Sequence, residues 1–192
     1  MKKPITIAVL LALALAVLTA CSGGSAAKDG LTVCAEVYFG YPHITYSADE
    51  LEKIAPQFVL DGIASAFDLP EGSGLDAVAD AINEYNSKVV EEAYGGEYKT
   101  ADASGFKAAI LRQIKPEDDG FEERLNSYLN HFSGSAVENK IDKEKILAFA
   151  EVAVSCVRDG EREDTSVECV NYDGTWYLSD LTDVQLTVAL WF

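Results

Sequence analysis

The spacing of apolar residues changes several times along the chain. Ile5 to Leu18 is apolar at every position except Thr6, behind the short basic start Met1-Lys2-Lys3. Residues 31 to 39 alternate around Val33, Ala35 and Val37, are rich in strand formers and meet Gly40 and Pro42, which predicts a first strand. Ser47-Ala48-Asp49-Glu50 matches a capping box and predicts a helix start. Leu51, Ile54, Ala55, Phe58, Val59, Gly62, Ile63, Ala66 and Phe67 then recur at threes and fours, with Pro56 placed to kink or split that helix. The cleanest helical stripe follows in Leu75, Val78, Ala79, Ile82, Tyr85, Val89, Val90 and Ala93, ended by Gly95-Gly96. Phe106, Ala109, Ile110 and Ile114 predict a third, shorter helix halted by Pro116. Phe121, Leu125, Tyr128, Leu129 and Phe132 predict a fourth, closed by Gly134.

From Ile146 the period moves toward two. Val152, Val154 and Cys156 alternate with Ala153, Ser155 and Val157, a strand ending at Arg158-Asp159-Gly160. Helix is a rival reading over residues 142 to 150, where Asp142 could cap. Residues 165 to 172 form the next strand, Asp173-Gly174 a two-residue hairpin turn, and residues 175 to 179 the return. Pairing Tyr172 with Thr175 puts Val167, Cys169, Trp176 and Leu178 on one face, which predicts a core. Val184, Leu186, Val188 and Leu190 suggest a last strand. A strand, then helices, then antiparallel strands is the order of an α+β fold, with helices packed on one face of a mostly antiparallel sheet.

The first stretch has the parts of a secretion signal, since a basic end is followed by an apolar run too short for a comfortable membrane span. Leu18-Thr19-Ala20-Cys21 resembles the lipobox of bacterial lipoproteins. The resemblance implies removal of residues 1–20, a diacylglyceryl thioether on Cys21 and lipid anchoring at the cell envelope, outside the cytoplasm. Each buried methylene contributes about 0.8 kcal/mol, so two acyl chains hold a domain at a bilayer almost permanently. Ser22-Gly23-Gly24-Ser25-Ala26-Ala27 reads as a flexible tether. Residues 21–30 are thus the lipidated end and tether, and residues 31–192 a single domain. An ordinary cleaved signal and an uncleaved anchor helix are the competing readings.

Charge narrows the partners. The formal net charge is −17, and losing Lys2 and Lys3 takes it to −19. Nucleic acid needs a basic face, and anionic lipid would repel such a surface, so the membrane is reached through the lipid alone. Three cysteines remain besides Cys21, and Cys156 and Cys169 on neighbouring strands are candidates for a cross-strand disulfide in an exported protein. No C-x-x-C, H-E-x-x-H, G-x-S-x-G or phosphate-cradling glycine loop occurs, and two histidines cannot build a three-histidine metal site. No cofactor or metal is indicated. Glu117, Asp118, Asp119, Glu122 and Glu123 lack the spacing of a calcium loop and suit a helix N-terminus. Cys34 with His43 or His131 is an imaginable nucleophile pair without local support.

The densest candidate surface is aromatic. Tyr38, Tyr41, His43 and Tyr46 crowd one segment with Phe39 and carry polar tips that could contact a ligand, although aromatics pack cores just as readily. The stretch from Val167 to Leu178, with its Asp-Gly turn and Trp176-Tyr177 pair, resembles the closing hairpin of NTF2-like domains in exported lipoproteins. That resemblance implies a curved sheet with a pocket against helices and often dimerisation through the sheet, so a homodimer is a candidate assembly. It brings no catalytic residue. The sequence therefore reads as an anchored domain binding a small ligand or an envelope protein. Its alternatives are a hydrolase or isomerase using an NTF2-like pocket, and an interaction lipoprotein without one.

Overall fold

Two Asp-Gly turns organise the sheet. Asp159-Gly160 and Asp173-Gly174 have positive φ at both positions, 53° and 81° in the first and 54° and 89° in the second. Such turns match the right-handed twist of paired strands and allow two-residue connections. They join β2 (Ile146–Arg158) to β3 (Glu161–Tyr172) and β3 to β4 (Thr175–Leu178). Arg158 accordingly pairs with Glu161 and Tyr172 with Thr175. The chain was described by a computed structural model that covers residues 30–40, 46–94, 103–135 and 137–179. The leader, Cys21, the tether to residue 29, Tyr41, His43, Gly95-Gly96 and the expected strand over 184–190 lie outside the described residues.

The described residues form an α+β fold of five α-helices and one antiparallel sheet in the order β1-β2-β3-β4. Alternation along β2 sets its inner row, since Ala148, Ala150, Val152, Val154 and Cys156 are buried. Across the sheet Cys169 pairs with Leu178 and Asn171 with Trp176. Cys169, Leu178 and Val167 are buried, and Trp176 is half-buried against the same core, as expected of that face. Phe149 points to the other side of β2 from Ala148 and Ala150. There Phe121 and Tyr128 meet it, with ring centroids at 5.6 and 5.8 Å.

Two elements differ from the sequence reading. Residues 31 to 39 are not a strand but lie within a helix, α1 (Gly30–Gly40), which packs against β1, β2, β4 and the next helix. Val33, Cys34, Ala35, Val37 and Phe39 are all buried, so both faces of the helix are covered and the apolar positions alternate by coincidence. Helix propensity costs Val, Cys, Tyr and Phe only about 0.7 kcal/mol or less each, whereas burying a large apolar side chain contributes about 1.5–3 kcal/mol, so packing decides. Residues 106 to 114, expected as a helix, lie in β1 (Ser104–Ile114), antiparallel to β2. Register shifts between Ser104 and Lys107 and between Ile110 and Arg112 break its alternation. The shifted pattern imitates helical spacing.

The remaining helices follow the sequence closely. The stripe beginning at Leu51 is divided into α2 (Ala48–Ile54) and α3 (Gln57–Ala66) by Pro56. Proline drives the preceding residue out of the helical region, and Ala55 is extended at φ −145°, ψ 142°. α4 (Leu75–Tyr94) and α5 (Phe121–Asn130) complete the set. Over residues 142 to 150 only one turn is helical, a 3-10 turn at Lys143–Lys145 in which Asp142 accepts the Glu144 N–H at 3.1 Å. Strand β2 starts immediately after it.

The expected Cys156–Cys169 bridge is not formed. Cys156 stands opposite Glu163, and Cys169 opposite Ala150. Six residues of strand separate those positions, about 20 Å, against a reach of about 7 Å between the Cα atoms of a disulfide. Cys156 and Cys169 are free and buried, and Cys34 is buried.

Candidate functional site

Equal spacing on two helices builds the site. α1 carries Val33, Glu36 and Val37 at i, i+3 and i+4, and α2 carries Glu50, Lys53 and Ile54 at the same intervals. Such triplets share one helix face. With Tyr46, just ahead of α2, they line a cleft of about 290 Å³. Its apolar side chains, Val33, Val37, Tyr46 and Ile54, are each no more than 6% exposed, while Glu50 and Lys53 are exposed and Glu36 is half-buried.

Local bonds fix the walls. The main-chain N–H of Tyr46 donates to Asn83 Oδ1 at 2.9 Å, and Asn83 Nδ2 donates to the Tyr46 carbonyl at 2.9 Å. Entry into α2 is therefore tied to α4. The capping box forms through Glu50, whose Oε2 accepts from Ser47 N–H at 2.9 Å and from Ser47 Oγ at 2.7 Å. Lys53 makes no ion pair among the described residues, although it shares the rim with Glu36 and Glu50. The cleft thus combines an apolar lining with charges of both signs that do not neutralise each other by contact.

Of the four aromatic-segment residues, Tyr46 lines the cleft. Tyr38 does not; it is half-buried and meets Phe39 edge-on, with centroids 5.2 Å apart at 88°. Tyr41 and His43 are outside the described residues. Val33, Glu36, Val37, Lys53, Ile54 and Asn83 are the positions missed. The three-four spacing of Glu50, Lys53 and Ile54 carries a signal for one wall, because the capping box marks the start of α2. The α1 wall was hidden by the strand reading.

A second, wider groove of about 510 Å³ lies between the start of α3 and the β3–β4 hairpin. Several of its polar groups satisfy one another. Lys145 Nζ meets Asp173 at 2.9 Å, Asp173 N–H returns to the Lys145 carbonyl at 2.7 Å, and Gln57 donates to Asp61 at 2.9 Å. Tyr177 Oη donates to the Glu52 carbonyl at 3.4 Å along one side.

Shifted titrations fall outside the cleft between α1 and α2. Burial pushes the Cys156 thiol up and the nearby Glu163 carboxylate reinforces the shift, holding the thiol protonated. Burial also raises the phenols of Tyr128 and Tyr177. Cys34 is buried, and its thiol lies 3.7 Å from the Trp176 carbonyl as a donor, while His131 is exposed at the end of α5. In the acidic segment, Asp118 accepts the Lys115 N–H at 2.9 Å, and Glu122 and Glu123 occupy the first turn of α5. Carboxylates there complement the helix dipole.

No family model, curated protein or solved structure matches this chain.

Proposed function

We propose that the chain is an extracytoplasmic lipoprotein whose anchored domain binds a small molecule in the cleft between α1 and α2. The observation carrying this reading is the cleft's composition. Four buried apolar side chains line it, and three charged residues stand at its rim. Ligand sites typically combine an apolar enclosure with a few polar groups that fix orientation, at volumes from about 300 Å³ upward. A cleft of about 290 Å³ therefore suits a compact occupant. The α3–hairpin groove is wider, but Lys145, Asp173, Gln57 and Asp61 along it are already paired, so an occupant would have to break those contacts or leave them in place.

Anchoring follows from the lipobox resemblance at Leu18 to Cys21. Lipid on Cys21 would confine the domain to the membrane surface, and the tether would let it sample ligand close by. The direct test is methyl NMR on the full chain, reading Val33, Val37 and Ile54 while 3-methylbutan-1-ol, a neutral branched probe, is added. Saturable shifts at these three residues support the cleft. The exposed-rim variant Lys53→Trp, whose ring can lie across the mouth, should weaken them.

A further inference from the structure

We propose a second binding site, for a neutral saccharide, in the groove between the start of α3 and the β3–β4 hairpin. It is separate from the cleft and does not rest on it. At about 510 Å³ the groove lies within the range of roughly 300–1,000 Å³ typical of ligand sites. Aromatic rings form its apolar part. Tyr172 and Tyr177 come from the hairpin and Phe58 from α3, with the Phe58 and Tyr172 centroids 5.2 Å apart at 60°. Tyr172 is half-buried, so the packing that fixes its ring leaves part of it on the groove. The negative face of an aromatic ring favours the partly positive C–H groups on one side of a pyranose.

The polar part selects hydroxyls. Lys145 Nζ pairs with Asp173 Oδ2 at 2.9 Å, and Gln57 Nε2 donates to Asp61 Oδ1 at 2.9 Å. These bonds hold the side chains in place and leave them capacity, since an ammonium has three donors and each carboxylate a second oxygen. Lys140 adds another ammonium, with no ion pair among the described residues. The two lysines and two aspartates cancel in formal charge. A phosphate or carboxylate would be drawn to the lysines but repelled by Asp61 and Asp173, and an ammonium would meet the reverse. A hydroxyl both donates and accepts, so a ring bearing several of them uses both kinds of group with no net charge to repel. It also leaves the two internal pairs unbroken.

The experiment titrates the full chain with the methyl glycosides of glucose, galactose and mannose. Methyl glucuronide, cyclohexylamine and cyclohexanol serve as anionic, cationic and single-hydroxyl rings. The readout is the aromatic resonances of Phe58 and Tyr172. At least one neutral glycoside should shift them saturably and bind about tenfold or more tightly than each control. Asp61→Ala and Lys140→Met should each weaken it about tenfold, the effect of one hydrogen bond to a charged group. Both positions are exposed, and unchanged Val152 and Val170 methyls would show that the fold persists. If the controls match the glycosides, or if both variants leave glycoside binding unchanged, the saccharide assignment is overturned. Shifts at Val33, Val37 and Ile54 in place of Phe58 and Tyr172 would overturn this site while the α1–α2 cleft stands. No shift from any glycoside overturns it as well.

Discussion

The carboxamide of Asn83 grips both main-chain polar groups of Tyr46, accepting from its N–H and donating to its carbonyl, each at 2.9 Å. One side chain on α4 thereby does for Tyr46 what a neighbouring strand would do. These bonds are partly buried, so they are screened less than surface contacts. Asn83→Ala should cost about 1–3 kcal/mol in urea denaturation and weaken probe binding in the cleft. Asn83→Asp should do no better, because a carboxylate cannot donate to the Tyr46 carbonyl. Unchanged stability in both variants would remove Asn83 from the account.

Gly30 marks a close approach of α1 to the sheet. A Cβ built there would stand 2.9 Å from the Trp176 carbonyl oxygen and 3.1 Å from its nitrogen, both backbone atoms. Trp176 is held opposite Asn171 in the β3–β4 ladder, so it cannot yield cheaply. Gly30→Ala should therefore destabilise by about 1–3 kcal/mol, as overpacking does. The opposite sign, expected where alanine simply improves helix propensity, would show that α1 sits farther from β4.

Much of the fold was legible because local chemistry and tertiary packing agreed. Asp173-Gly174, the Ser47–Glu50 capping box and Pro56 each specify a backbone geometry that the fold adopts. The failures have two physical sources. α1 is enclosed by β1, β2, β4 and α2, so burial of Val33, Cys34, Ala35, Val37 and Phe39 erases the amphipathic stripe that announces a helix. In β1 the register shift between Ile110 and Arg112 moves apolar positions out of step. A strand over residues 31 to 39 would scatter Val33, Glu36 and Val37, so only Tyr46 among the cleft residues is legible from the sequence pattern.

Alkaline conditions should expose the Tyr128 phenol. Burial first, and then the neighbouring Tyr172 and Tyr177, hold its pKa above the usual tyrosine range. The unfolded chain ionises first, near a pH of about 10. Below that value the folded and unfolded states bind the same proton, and no penalty arises. As pH rises from there toward the folded value, the unfolded state is favoured and stability falls. Urea midpoints between about pH 8 and 11 should drop faster for the native chain than for Tyr128→Phe. Parallel curves would contradict the shift.

Lipidation has its own readout. Cys21→Ala should abolish incorporation of labelled palmitate and release the chain from membranes that retain the native protein through its acyl chains. Unchanged labelling would remove the anchor from the proposal while leaving the cleft untouched.

The most direct measurement is the methyl spectrum of the full chain titrated with 3-methylbutan-1-ol. The account predicts saturable shifts concentrated at Val33, Val37 and Ile54, diminished in Lys53→Trp, with Val152 and Val170 unmoved in the sheet. Shifts elsewhere, or none at these three residues in a folded protein, would contradict the claim that the space between α1 and α2 is a binding site.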